Sequence, residues 1–266
     1  MRVSLDVLRD LLQALPLLVL KMPSKTLPQT KKNVLTFFPP SGRLYIERLK
    51  KMQFTKIKDA LEYVGGFAKP SKMPCPSYSL PASACNVGAK LRAVKGSVCS
   101  TCYACKGCYR FKVVKNALDT RLASLDKPLW TDAFVFAITK KNLSYFRFHD
   151  SGDVQSFEHL QKIVDIAKRC PSCRFWLPTK ENALVLRYLK TVGPFPKNLT
   201  VRLSCPMMDG ENVSVKKLAR ENGLCVAGAS SDMANVNCHA YKTNGECGEC
   251  RACWDKSVFE IVYKKH

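Results

Sequence analysis

The chain has 266 residues, of which 46% are apolar and 24% are charged, so it can bury the core of one large domain or two small ones. This excludes a disordered tail and a mini-protein. Its 43 Lys and Arg residues exceed its 21 Asp and Glu residues by 22, and such an excess predicts nucleic acid or another polyanion as the partner.

Cysteine is the second unusual feature, with 14 residues. This is more than an ordinary cytosolic enzyme needs for packing and too sparse for a small disulfide scaffold. The longest apolar run near the start, residues 11–20, is too short to span a bilayer, and acidic residues precede it where an export signal has basic ones. We therefore expect no membrane partner and a cytoplasmic, reducing compartment, where cysteines act as metal ligands rather than as disulfides.

Residues 1–68 are predicted to form a basic, helical N-terminal extension. Apolar residues recur at helical spacing over residues 4–19 and 41–61, and residues 21–40 between them are rich in proline and lysine. We expect two helices joined by an extended linker. The remaining residues, 69–266, are predicted to form a Cys-rich, metal-binding α/β domain.

This second part begins with an irregular segment. Residues 69–109 contain six cysteines and four prolines without a sustained period, which predicts structure held by metal rather than by packing. Beyond it the pattern predicts helices at residues 110–125, 128–140, 154–168, 182–189 and 213–221, and strands at residues 145–148, 174–177, 199–203 and 224–227. Alternating strands and helices predict an α/β fold with a parallel sheet, either open or a partial (β/α) barrel.

Closely spaced cysteines in the irregular segment are the strongest chemical signal. Cys99 and Cys102, and then Cys105 and Cys108, are pairs with two residues between them, and Cys85 lies upstream. Such pairs let two thiolates reach one ion from a tight turn, and four thiolates suit either zinc or an iron–sulfur cluster. We predict that these five cysteines are metal ligands, and their spacing leaves the metal open.

Four more cysteines near the C-terminus form a second candidate metal set. They are Cys238, Cys247, Cys250 and Cys253. Gly245 and Gly248 give the backbone the freedom that ligation from a tight turn requires. This set also suits zinc or an iron–sulfur cluster. Spacing leaves open whether the two sets make two sites or one composite site.

Polar residues follow the predicted strands at their carboxyl ends, where parallel α/β sheets bind their ligands. We predict catalytic roles for His149, Asp150 and Asp153. Cofactor-binding roles are predicted for Ser151, Gly152, Thr179, Lys180 and Ser204. The alternative is that Ser151 or Asp153 caps the helix predicted to begin at residue 154, and that Thr179 caps the next one.

Taken together, these motifs resemble the phage gene product 88 family. The residues that carry the resemblance are Cys85, Gly96–Cys99, Cys102–Ala104, Lys106, Gly107, Tyr109, His149–Asp153, Thr179–Glu181 and Cys247–Trp254. The resemblance covers roughly residues 70–256 and leaves the N-terminal extension outside. The family's function is obscure, and membership implies a protein of the phage-infected host cell.

A more distant similarity is to radical S-adenosylmethionine enzymes. In those enzymes a partial (β/α) barrel carries a three-cysteine loop that holds a [4Fe–4S] cluster, and the second strand ends in a segment that binds the methionine amino group. The order of elements here is similar. The usual three-cysteine spacing is absent, so Cys85, Cys99 and Cys102 would take its place. The similarity therefore implies a cluster more strongly than S-adenosylmethionine cleavage.

We therefore expect an iron–sulfur protein, similar to radical S-adenosylmethionine enzymes, that acts on or binds nucleic acid. Its C-terminal cysteines would hold a second cluster or zinc. One alternative is a non-enzymatic, zinc-stapled nucleic-acid-binding module, and another is a virion or chromatin structural protein that uses charge alone. The polar residues at the strand ends favour the enzyme, because a purely structural zinc protein has no use for them.

Overall fold

The computed structural model describes residues 54–265. The helix predicted at residues 4–19 and the linker at 21–40 lie outside these residues. The compact unit begins at Phe54. Its first helix, α1 (Ile57–Tyr63), falls at the end of the helical pattern predicted for residues 41–61, and Ala60 and Val64 beside it are fully buried in the core. This helix of the predicted extension thus packs as part of the α/β unit.

Six parallel strands form one sheet, which confirms the predicted α/β fold. The strands are β1 (Ser77–Tyr78), β2 (Tyr145–Phe148), β3 (Arg174–Thr179), β4 (Leu199–Ser204), β5 (Cys225–Ser230) and β6 (Glu260–Lys264). Neighbours in the sheet are also neighbours in the chain, so every crossover moves in the same direction. Right-handed crossovers of this kind place the helices on one face, as in a segment of a (β/α) barrel. β1 and β6 are edge strands that do not pair with each other, so the sheet is open.

Helices connect the strands. The first of them, α2 (Val87–Leu91), lies in the segment that was predicted to be irregular. The others lie close to the predicted positions: α3 (Lys112–Ser124), α4 (Trp130–Lys140), α5 (Phe157–Arg169), α6 (Asn182–Thr191) and α7 (Val213–Glu221). Helix α5 begins three residues later than predicted, because Ser156 is its N-cap and accepts the amide hydrogen of His159. Neither Ser151 nor Asp153 caps it, so the capping alternative for these two residues is wrong. No helix in residues 54–265 is both long enough and apolar enough to span a bilayer.

Side chains alternate between the two faces of the central strands. Phe146 and Phe148 of β2 are fully buried on the helix side, and the ring of Phe148 stacks on Phe175 of β3 at 5.8 Å. The intervening Arg147 lies on the opposite face, in register with Trp176 of β3. This face is covered by cysteine-containing segments and carries a small apolar cluster of its own. The helix face is therefore the core, and the other face is available for a site.

Arg202 of β4 fastens the C-terminal cysteine segment to that second face. Its side chain is fully buried, and its guanidinium donates hydrogen bonds only to main-chain carbonyls. The acceptors include Ala252 (2.8 Å), Cys253 (3.0 Å), Asp255 (2.8 Å) and Val258 (2.8 Å). Because five fixed N–H groups meet these oxygens, one side chain holds the whole loop after Cys250.

Replacing Arg202 by methionine removes all of these hydrogen bonds and leaves buried carbonyls without partners. We expect the Arg202→Met substitution to lower the free energy of unfolding by about 3 kcal/mol or more, measured by urea unfolding. Arg174 of β3 is exposed, so Arg174→Met is the matched control and should change stability by less than about 0.5 kcal/mol. Equal effects of the two substitutions would contradict the anchoring role.

Candidate functional site

A cavity of about 280 Å³ opens at the carboxyl ends of the strands. Strand ends from β2 to β6 contribute to its wall, among them Lys180, Ser204 and Tyr263. Of the residues predicted for catalysis or cofactor binding, those that line it are His149, Asp150, Ser151, Gly152, Asp153, Lys180 and Ser204. The structure thus gathers these residues in one place, and Thr179 lies behind the wall.

Three of the predicted metal ligands, Cys85, Cys99 and Cys102, line the same cavity. Gly88 leaves space beside two of their sulfurs: a Cβ atom there would lie 3.6 Å from Cys85 Sγ and 3.5 Å from Cys99 Sγ. Cys105 and Cys108 are exposed and do not line the cavity. The first cysteine set therefore divides into three thiols at the cavity and two at the surface.

The cavity thiols are only partly exposed to solvent. Burial raises the pKa of Cys85 to about 12, and the neighbouring Asp153, Cys102 and Cys99 raise it further. Burial also raises the pKa of Cys102. Both thiols are therefore protonated at neutral pH in the absence of a cation, and a metal that binds them must displace their protons.

The donor set can be tested against a metal. As the side chains stand in residues 54–265, no group of three or more His, Cys, Asp or Glu residues forms a closed metal site. The chemistry of the donors does fit, since three soft thiols converge on one cavity and Gly88 leaves the space beside them open.

Asp150 ties the first cysteine segment to the sheet. One carboxylate oxygen accepts a hydrogen bond from Ser77 Oγ of β1 at 2.9 Å, and the other accepts one from Tyr109 Oη at 2.8 Å. Its main-chain carbonyl accepts a further bond from the hydroxyl of Tyr103. Because both carboxylate oxygens are engaged, the geometry gives Asp150 a positioning role for the loop that carries Cys99 and Cys102.

Asp153 joins the ends of β2 and β3. Its carboxylate accepts hydrogen bonds from Thr179 Oγ1 at 2.5 Å and from the amide nitrogen of Lys180 at 2.9 Å. Thr179 also accepts the amide hydrogen of Glu181, and Glu181 Oε1 accepts that of Val87, two residues after Cys85. Burial raises the pKa of Asp153 to about 6, although the hydrogen bonds from Thr179, Lys180 and Val154 lower it. A continuous network therefore runs from the strand ends to the Cys85 segment.

Gly152 is where the chain passes closest to the Cys85 segment. Its φ is +74°, and a Cβ atom there would lie 2.6 Å from Leu80 Cβ and 2.7 Å from the Leu80 carbonyl oxygen. The adjacent Ser151 donates its hydroxyl hydrogen to that same oxygen at 2.9 Å. Both residues therefore hold the strand-end loop against Leu80, five residues before Cys85.

His149 is buried at the cavity wall in a conformation rare for a residue with a side chain, with φ of +59°. Neither of its ring nitrogens has a hydrogen-bond partner in the described part of the protein. Burial holds its pKa well below the ordinary value, and the neighbouring His159 and Arg147 lower it further. The imidazole is therefore neutral at physiological pH and can exchange a hydrogen bond with a ligand in the cavity.

His159 of α5 packs behind His149 and makes the fold sensitive to acid. Burial lowers its pKa to about 3, whereas the unfolded chain has the ordinary value of about 6.5. Between these values the unfolded state binds more protons, so the contribution of His159 to stability is complete above the unfolded pKa and is lost as the pH falls toward the folded one.

The His159→Asn variant isolates this effect, because asparagine cannot titrate and keeps an acceptor for the amide of Gln155, which His159 Nδ1 accepts at 3.2 Å. We expect a change from pH 7 to pH 5 to cost the unchanged protein about 2 kcal/mol more unfolding free energy than it costs the variant. Urea unfolding at the two pH values measures the difference. Equal losses would show that His159 does not titrate in this way.

The C-terminal cysteines are electrostatic neighbours of one another. Cys247 has Cys238 and Cys250 as electrostatic neighbours, and its amide donates to the carbonyl of Lys72 at 3.1 Å. Cys253 Sγ lies 3.4 Å from Tyr263 Oη. These four cysteines therefore form a separate group from the three at the cavity.

Cys75 belongs with this C-terminal group, although it precedes Cys85 in the chain. It packs in one apolar cluster with Cys253 and has Cys247 and Cys253 as electrostatic neighbours. Burial raises its pKa to about 12. Sequence spacing contains no signal for this placement, because about 170 residues separate Cys75 from these neighbours in the chain.

Comparison with known proteins gives one family. A family model described as gene product 88 matches residues 46–256. No curated protein and no solved structure matches the chain. The matched segment contains both cysteine sets and strands β1 to β5.

Proposed function

The chain belongs to the gene product 88 family, and we propose its function from the residues of the site. We propose that the protein is an iron–sulfur protein that acts on nucleic acid. Cys85, Cys99 and Cys102 would hold a [4Fe–4S] cluster at the mouth of the cavity. The proposed reaction is similar to that of radical S-adenosylmethionine enzymes, with S-adenosylmethionine as a cofactor.

One observation carries this proposal: three thiols and the polar strand-end residues line a single cavity. Two of these thiols have pKa values raised by burial, so they need a cation to become thiolates. A cluster held by these three cysteines would supply one-electron reduction beside the polar strand ends. A closed structural site would have no need to face the polar strand ends.

The surrounding residues hold the site in shape. Asp150 fixes the loop of Cys99 and Cys102 through Tyr103 and Tyr109, and Asp153 fixes the Cys85 segment through Thr179 and Glu181. His149 faces the cavity as a neutral imidazole that can accept or donate one hydrogen bond there. The chain therefore positions three thiols and one uncharged base around the same space.

The C-terminal cysteines favour a second, structural metal. Their loop is fastened by Arg202, and Cys75 adds a fifth thiol to the group. Four thiolates with this fixed backbone suit zinc or a second cluster. A zinc-stapled nucleic-acid-binding protein is the corresponding non-enzymatic function, and it requires zinc at both cysteine groups.

Nucleic acid as the partner follows from charge. Residues 54–266 contain 33 of the 43 Lys and Arg residues and 18 of the 21 Asp and Glu residues. Basic residues therefore also outnumber acidic ones outside the N-terminal part. In residues 54–265 four ion pairs form, and most of the basic side chains are left without a carboxylate partner. Phosphates satisfy such a surface and release their counterions when they bind.

Fluorescence anisotropy with a labelled single-stranded oligonucleotide tests the partner. We expect binding whose logarithmic association constant falls linearly with the logarithm of salt concentration, with a slope that corresponds to several phosphate contacts. The Asp150→Ala and Asp153→Ala variants, if folded, should bind the oligonucleotide as the unchanged protein does but lose S-adenosylmethionine binding. Retained S-adenosylmethionine binding in both folded variants, or no oligonucleotide binding at low salt, would contradict the proposal.

A further inference from the structure

The cavity contains buried polar atoms that no protein group satisfies. Arg147 Nε, Trp176 Nε1 and the two ring nitrogens of His149 have no partner in the described part of the chain. All three residues line the cavity, and Trp176 and His149 are 4% and 3% exposed. Buried polar atoms are almost always paired, so the N–H groups among them, one of which belongs to the neutral His149, require an acceptor that the chain itself does not provide.

Arg147 is the most strongly placed of the three. Its guanidinium carbon lies 4.2 Å above the centroid of the Trp176 ring, and Nη1 contacts Met73 Sδ at 3.1 Å. Its side chain hydrogen-bonds with that of Tyr103 and has Cys247 and Cys253 as electrostatic neighbours, and it forms no ion pair with a carboxylate of residues 54–265. The nearby Asp150 has both carboxylate oxygens engaged by Ser77 and Tyr109. The stacking on Trp176 therefore fixes a charged, planar donor beside an open space.

The remaining charge around the cavity has the same sign. Lys180, Lys264 and Lys265 also line it, and none of the three forms an ion pair within the described residues. The carboxylates on the wall are Asp150 and Asp153, and both accept hydrogen bonds from protein groups. The uncommitted charge at the cavity is therefore positive.

We propose that the cavity binds a single phosphate group of the substrate, with Arg147 as its central ligand and Lys180 at the rim. A guanidinium binds phosphate oxygens through paired N–H donors, and the N–H groups of Trp176 and His149 add donors from the side. The phosphorylated end of a strand, rather than a duplex, is the unit that would bring a single phosphate group to Arg147. This inference rests on the proposed function and names the part of the nucleic acid that enters the cavity.

Isothermal titration calorimetry at fixed ionic strength tests the proposal with four probes: inorganic phosphate, a 5′-mononucleotide, the matching nucleoside and succinate. We expect the two phosphate compounds to bind and the nucleoside and succinate not to bind. Arg147→Met should weaken phosphate binding by at least about tenfold, and Lys180→Met by a few fold. The phosphate affinity of Arg147→Lys should lie between those of the unchanged protein and Arg147→Met, because lysine keeps the positive charge but lacks the planar guanidinium that stacks on Trp176. Arg174→Met, an exposed arginine at the other end of β3, should bind as the unchanged protein does.

Several results would overturn the proposal. These are absence of phosphate binding, equal binding of the nucleoside, tighter binding of succinate, or an equal loss with Arg174→Met. Circular dichroism first establishes that Arg147→Met is folded, and Lys180→Met provides the test if it is not. Iron content and oligonucleotide binding of the unchanged protein distinguish failure of this inference from failure of the proposed function. If both are present while phosphate does not bind, this inference alone fails, and if both are absent, the proposed function fails with it.

Discussion

Substituting serine for Cys99 is expected to remove the iron bound at the cavity. Cys99 Sγ lies beside the space that Gly88 leaves open, together with Cys85, and a cluster with only two cysteine ligands is not retained. The expected loss is about four iron atoms and four acid-labile sulfides per chain relative to the unchanged protein. Cys85→Ser and Cys102→Ser should have the same effect, measured by iron and sulfide assays on protein purified without oxygen.

Two variants of the same loop serve as comparisons. Ser100 is exposed and adjacent to Cys99, so Ser100→Ala should retain the full iron content. Cys108 is exposed and does not line the cavity, and we expect Cys108→Ser to retain it as well. If Cys99→Ser keeps its iron, or if Cys108→Ser loses as much, the assignment of the three cavity cysteines as ligands is wrong.

The largest expected effect on folding comes from Gly152→Ala. The added Cβ would lie 2.6 Å from Leu80 Cβ and 2.7 Å from the Leu80 carbonyl oxygen, and φ is +74°. The atoms that this Cβ would meet are the Cβ and main-chain atoms of Leu80, which cannot move aside as the end of a flexible side chain can. The loop after β2 and the segment that contains Leu80 must therefore separate. We expect the free energy of unfolding to fall by about 3 kcal/mol or more, and the cavity iron to be lost with it.

Gly66 provides the matched control, because its φ is +81° and a Cβ atom there would meet nothing within 4 Å. Gly66→Ala should therefore cost only the backbone strain, about 1–2 kcal/mol. Urea unfolding of both variants gives the difference, which isolates the contact with Leu80. If Gly152→Ala lowers the free energy of unfolding no more than Gly66→Ala does, the contact with Leu80 is not the reason that residue 152 is glycine.

The regular part of the fold could be predicted from local pattern. Strand β2 (Tyr145–Phe148) and helix α7 (Val213–Glu221) have the predicted bounds, because apolar periodicity is a property of consecutive residues. Two edge strands were missed for different reasons. β1 has only two residues and lies in a segment rich in proline, whereas β6 has an apolar and aromatic run, Ile261 to Tyr263, that was a usable signal.

The position of the strand-end site could be predicted from the sequence, but the contacts within the site could not. The rule that parallel sheets bind ligands at their carboxyl ends placed His149 and Asp153 at the cavity. The same residues join segments far apart in the chain, as Asp153 does with Thr179, and no local pattern reports such pairs. Arg147 was not predicted as a site residue, although its alternation with Phe146 and Phe148 was a usable signal that it lies on the face opposite the core.

Metal and acid-labile sulfide content, together with a visible absorption spectrum of protein purified without oxygen, shows whether the protein holds an iron–sulfur cluster. We expect brown protein, broad visible absorbance that bleaches with dithionite, and iron nearly equal to sulfide. Colourless protein with stoichiometric zinc and no sulfide would contradict the proposed cluster and leave the cysteines as staples of a nucleic-acid-binding protein.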